Sequence, residues 1–125
     1  MAGLAQPAAV APPRPFVLSD LLVLAAEPSL RWEPLAPGVE AHRLYQWPTG
    51  QSAALLRYTP GARLRRHRHT GTEQIFVLSG SQADDLGRHS AGALVVHPAG
   101  SSHSIESDEG CLVLAIWEKP VEFVD

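Results

Sequence analysis

Three histidines and one glutamate carry the chemistry available to this sequence. They fall between Gly61 and Ser107. The first block is Gly61, five residues, His67-Arg68-His69, three residues, Glu73, six residues, Gly80; eleven residues later come Gly92, five residues, Pro98-Ala99-Gly100, two residues and His103. A strand sends alternate side chains to one face, so His67 and His69 set two imidazoles side by side. Thr70-Gly71-Thr72 reads as a turn or bulge, after which Glu73 opens the apolar run Ile75-Phe76-Val77-Leu78 with its carboxylate near the rings. His103 follows the tight Pro-Ala-Gly turn before another strand and is the best-placed fourth ligand. Three nitrogens and one oxygen, with no thiolate, suit a borderline divalent ion and leave positions open on an octahedral one. The expectation is a metal centre of His67, His69, Glu73 and His103 that solvent can reach. Surface histidines on a basic strand are the competing reading, which suits a lone His-x-His pair better than two spaced blocks in order.

These ligands need strands to hold them. Alternation predicts strands over 39–47 and 51–59, with Pro48-Thr49-Gly50 as a hairpin turn, and Pro60-Gly61 then turns the chain into the ligand strand. Further strands are predicted over 74–78, 82–86, 93–97, 104–107 and 112–117. Many short strands separated by Gly and Pro turns indicate a sandwich or barrel. Residues 21–26 are either a short helix capped by Ser19-Asp20 or a strand, and Pro28 ends both.

Around the ligands, Arg63, Arg65, Arg66 and Arg68 crowd one strand, and strict alternation puts Arg63 and Arg65 on the face of His67 unless a kink breaks the parity. Such a run is ordinarily a solvated face; Arg65 is the candidate for an anion-recognising group at a cavity mouth. His97 is a candidate for the cavity wall, with a plain polar or core role as the alternative, and His42 and His89 stand outside the ligand set. Alternation from His103 points Ile105 and Ser107 inward, and Phe76 is a further pocket candidate. Trp32, Trp47 and Trp117 read as core or interface aromatics. Cys111, the only cysteine, reads as a small core residue and excludes an intramolecular disulfide.

Both spaced blocks match the signature of the cupin family at every ligand and glycine, and Ser107 departs from it where asparagine is usual. The resemblance implies an antiparallel jelly-roll barrel of six to eight strands, of the RmlC-like kind, with the metal inside. A closer likeness lies in Trp32-Glu33-Pro34-Leu35-Ala36-Pro37-Gly38-Val39, His67-Arg68-His69-Thr70-Gly71, Gly100-Ser101-Ser102-His103-Ser104 and Glu109-Gly110-Cys111. Over most of residues 31–117 the chain resembles the cupin domain of ChrR-type anti-sigma factors. Such domains bind zinc, respond to oxidative or peroxide stress and control an anti-sigma domain; no N-terminal helical segment with a His/Cys zinc motif is seen here, so holding a sigma factor in that way is not expected. Similar small cupins include iron(II) dioxygenases of diketones and related ketones, a reading in which Glu73 is both ligand and proton acceptor; the function expected first is that of a small single-domain metal-binding cupin acting on or sensing a small molecule. The cofactor expected is one divalent ion: zinc, iron(II), manganese or nickel. The partners expected are a small-molecule ligand or substrate and a second copy of the chain in a homodimer.

The totals limit the rest. The length of 125 residues suits one domain, read as an Ala/Pro-rich flexible arm over 1–15 and a cupin domain over 16–125. A formal net charge of -3 gives no electrostatic reason for nucleic acid or an anionic membrane as partner. The run 21–26 is too short to span a bilayer, and the arm lacks the apolar core of a signal peptide, so a cytoplasmic protein is expected.

Overall fold

The computed structural model of the protein describes residues 13–124. Among these, one helix, α1 (Leu21–Ala26), precedes ten strands: β1 (Glu33–Ala36), β2 (Val39–Gln46), β3 (Ser52–Tyr58), β4 (Ala62–His69), β5 (Glu73–Asp84), β6 (Gly87–Ser90), β7 (Leu94–His97), β8 (Ser102–Ser107), β9 (Cys111–Trp117) and β10 (Val121–Phe123). The first twelve residues of the expected arm lie outside the described residues. Asp20 resolves the helix-or-strand alternative, because its side chain accepts from the backbone N–H groups of Leu22 and Val23, both at 3.1 Å.

All strand pairings are antiparallel, in the order β1-β2-β3-β9-β5-β8-β4-β10, with β6 and β7 also on β5. The sheet curls on itself into the jelly roll that the sequence leads one to expect. Its strands number more than six to eight because β1, β6 and β10 are short additions at the rim. β5 explains the curl. The sequence suggests two pieces, 74–78 and 82–86, but they form one strand of 12 residues whose first half pairs β7 and β9 and whose second half pairs β6 and β8. The bend falls near Gly80, at φ +72°, where an added Cβ would lie 2.1 Å from the Gly110 carbonyl oxygen.

Alternation fills the interior. Val39, Ala41, Leu56, Ile75, Val77, Val113 and Ala115 point inward and are at most 3% exposed. On β4 the alternation is interrupted: Ala62 and Leu64 face in, Arg65 and Arg66 both face out, and His67 and His69 face in. A register shift between Leu64 and His67 against β8 accounts for the extra residue. The bulge therefore keeps all four arginines of this strand off the histidine face. No helix among the described residues is long and apolar enough to cross a membrane.

Candidate metal centre

The two histidine blocks meet across β4 and β8, where His67 lies directly opposite His103. β5 supplies Glu73, which is flanked by His97 on β7 and Trp117 on β9. The four expected ligand residues are each at most 3% exposed, and one atom from each falls within 4.8 Å of the others.

Each ring has its Nδ1 already committed. His67 Nδ1 donates to the Arg65 carbonyl at 3.1 Å, His69 Nδ1 to Ser101 Oγ at 2.9 Å, and His103 Nδ1 to Asp84 Oδ2 at 2.9 Å. Ser101 can only accept from His69, because its own hydroxyl proton goes to the Pro98 carbonyl at 2.6 Å. A neutral imidazole that donates through Nδ1 carries its lone pair on Nε2. All three Nε2 atoms face the centre: His67 and His103 stand 2.9 Å apart, and His69 Nε2 is 3.0 Å from Glu73 Oε1. Glu73 is fixed as well, since Trp117 Nε1 donates to its Oε2 at 2.6 Å and leaves Oε1 turned inward. Neither His69 Nε2 nor Glu73 Oε1 has a hydrogen-bond partner. Opposed lone pairs in a buried pocket repel one another unless a cation lies among them, so this donor set fits a divalent metal ion.

Protonation follows the geometry. Burial pushes the His67 imidazolium below its ordinary value, and lowers His103 to about 4 despite the Asp84 bond and the Glu73 charge that oppose it. Both rings are thus neutral and ready to ligate at neutral pH.

The other sequence candidates separate. His97 is buried beside the centre, stacked on His69 with ring centroids 4.8 Å apart and lying 4.1 Å from the His103 ring. Phe76 does not line the pocket: it lies on the outer face, 41% exposed, because it is one residue out of phase with Ile75. Ile105 is a core residue. Ser107 faces inward, but its hydroxyl donates to the Ser81 carbonyl and offers nothing to a ligand. Arg65 lies outside, its guanidinium 4.5 Å over the Phe123 ring. Cys111 is buried, with its thiol pushed up to about 11 by burial. His42 holds the Arg31 carbonyl, away from the centre.

The ligand side chains themselves are enclosed. Trp117, His97 and Phe123, the last 5.8 Å from the His67 ring, pack around the ligands. A groove of ≈ 550 Å³ is lined by Arg63, Arg65, Asp84, Ile105 and Glu106 among others. Asp84 in its wall is bonded to the ligand His103. Neither Asp84 nor Trp117 was identified as a site residue from sequence, yet each fixes a ligand.

Residues 22–121 match the family described as the ChrR Cupin-like domain. Over 122 residues the chain is 34% identical to the anti-sigma-E factor ChrR of Cereibacter sphaeroides, covering 94% of this chain and 55% of that protein, so it spans little more than half of the relative's length. An RmlC-like cupin protein from Ralstonia eutropha JMP134 is similar at TM-score 0.69 and 25% identity, over 76% of this chain and 67% of that one. ChrR bound to SigE from Rhodobacter sphaeroides gives TM-score 0.66 at 24% identity, over 84% and 70% of the two chains. An acetylacetone dioxygenase from Acinetobacter johnsonii gives 0.76 at 15% identity, over 98% and 85%. The last two likenesses concern the fold alone. With the jelly roll in place and four-fifths of its length matched, the chain belongs to the ChrR cupin-like domain family.

Proposed function

We propose that this chain is a metal-binding sensory module, in which His67, His69, Glu73 and His103 hold one divalent ion that reports the presence of a small molecule. One observation carries the reading: three imidazoles, each with its Nδ1 committed to an acceptor, turn their Nε2 lone pairs toward an inward Glu73 oxygen, and two of these buried acceptors have no partner. A bound ion would supply Lewis acidity and exchangeable coordination positions. The chain's own residues orient the ligands, exclude bulk water and keep His67 and His103 neutral. The likeness to an anti-sigma-E factor over nearly the whole chain supports a regulatory module, with the regulated partner provided by another segment or another protein.

An iron(II) dioxygenase of diketones or related ketones is the second reading, supported by the donor set and by Glu73 as an internal base. The family match over residues 22–121 and the 34% identity to an anti-sigma-E factor rank the regulatory reading above turnover. Elemental analysis of protein purified without a metal-affinity tag, paired with oxygen uptake after anaerobic iron(II) loading, separates the two. Stoichiometric zinc without uptake on adding a diketone is the expected result. Iron or manganese with uptake would replace the sensor by the enzyme, and no retained metal in either preparation would end both readings.

The proposal includes a homodimer in the cytoplasm. Support for the dimer comes from the exposed Phe76, Leu94 and Val96 on one sheet face. The single buried thiol is compatible with a reducing compartment.

A further inference from the structure

We infer that Asp84 is a positioning residue of the metal centre, which sets the tautomer of His103 and supplies the second negative charge that a buried divalent ion requires. The inference rests on reading the cluster as a metal site. Asp84 sits in the second half of β5, with its side chain 1% exposed. Every neighbour of its carboxylate can donate: Oδ1 lies 2.9 Å from the Leu86 backbone N–H and 2.8 Å from His89 Nε2, while Oδ2 lies 2.9 Å from His103 Nδ1 and 3.4 Å from His97 Nε2. The carboxyl meets a backbone N–H and three imidazole nitrogens and no carbonyl or second carboxylate that could take its proton, so the group is a carboxylate at neutral pH.

Two consequences follow for His103. First, a carboxylate can only accept, so His103 must carry its proton on Nδ1 and present Nε2 to the centre. Second, a divalent ion together with the Glu73 and Asp84 carboxylates makes an electrically neutral buried unit, whereas Glu73 alone leaves one positive charge uncompensated. His97 and Asp84 also form a geometric cluster with His103, but the Asp84 oxygen nearest both rings is already bound to the His103 N–H. That makes Asp84 a support for the centre rather than a second metal site.

Asp84→Asn tests this with almost no change of shape. The Leu86 N–H is a backbone donor whose role cannot change, so the amide oxygen takes the Oδ1 side and the NH₂ group turns to His103 Nδ1. His103 must then accept there, move its proton to Nε2 and lose the lone pair that would bind metal. The measurements are long-range ¹H–¹⁵N spectra of the metal-free full chain, which distinguish the two tautomers, and zinc affinity by competition with a chelator. The expected result is Nδ1–H in the wild type, Nε2–H in the variant and zinc affinity about 10–100-fold weaker. An unchanged tautomer with unchanged affinity would overturn the inference. Should the variant not fold, the wild-type spectrum still decides, because Nε2–H on His103 there would overturn it. A wild type that binds no zinc would instead defeat the metal-centre reading, whichever tautomer it shows.

Discussion

His67 and His97 are both buried imidazoles within one cluster, yet the contacts give them different work. His67 turns Nε2 to the centre with Nδ1 held by a backbone carbonyl, whereas His97 turns Nε2 toward the Asp84 carboxylate. Replacing His67 or His69 with alanine should therefore abolish retention of stoichiometric metal, while His97→Ala should keep it; equal loss from all three, read by elemental analysis, would redraw the ligand set. Titration offers an independent check. The folded pKa of His103, about 4, lies below its ordinary 6.5, so between those values the unfolded chain binds more protons than the folded one. Stability of the metal-free protein should be full above pH 6.5 and fall as pH drops toward 4, by about 3 kcal/mol from this residue. The lowered His67 and His97 act in the same direction. A melting temperature that stays flat from pH 7 to 5 would contradict the burial of these rings. The ligand residues were legible in the sequence because two apart on a strand means one face. Asp84 was not, since strict alternation from Glu73 sends it outward, and only the register shift between Val77 and Ser79 turns it in. Trp117 looked like any core aromatic until its register opposite Glu73 was known.

At the scale of elements, irregularities decide what the site receives. β4 reads as a ligand strand from its histidines, but a sequence does not show where a bulge takes up its extra residue, and so the facing of Arg63 and Arg65 could not be fixed in advance. β1 and β10 were missed for another reason: strands of four and three residues carry too little alternation to stand out. The join within β5 is the more testable feature. Gly80 combines a left-handed backbone with a close approach to Gly110 and Cys111, whereas Gly92 has a similar positive φ and open space where its Cβ would be. Gly92→Ala should cost about 1 kcal/mol, the strain of the left-handed conformation. Gly80→Ala should cost that and a further ~1–3 kcal/mol, because β5 and β9 would be forced apart where the strand bends. Urea midpoints compare the two directly. Equal losses would mean that the bend tolerates a side chain and that the contact with β9 is not what holds it.

The whole molecule divides its surface unevenly. Outward positions on β4 are Arg63, Arg65, Arg66 and Arg68, a charged face that water solvates without cost. On the β7–β5–β9 face the outward positions are instead mostly apolar, with Leu94, Val96, Phe76, Leu112, Leu114 and Ile116 around the polar Gln74, and the register aligns Leu94, Phe76 and Leu114 across three strands. A sheet face that meets water normally carries polar residues at such positions, and Phe76, Leu94 and Val96 are 41%, 60% and 52% exposed in the single chain. Net charge and composition do not report this, because they average over both faces. A second copy packed face to face would remove these side chains from water in both partners at once, as a two-fold interface does. Sedimentation at micromolar concentration should then give twice the 13.4 kDa chain, and Phe76→Glu combined with Leu94→Glu should give the single chain. Metal retention should survive that double change, because Phe76 and Leu94 point away from the interior that holds the histidines. A wild type that sediments at 13.4 kDa would leave this apolar face to a different partner, and a double variant that stays dimeric would move the interface to another surface.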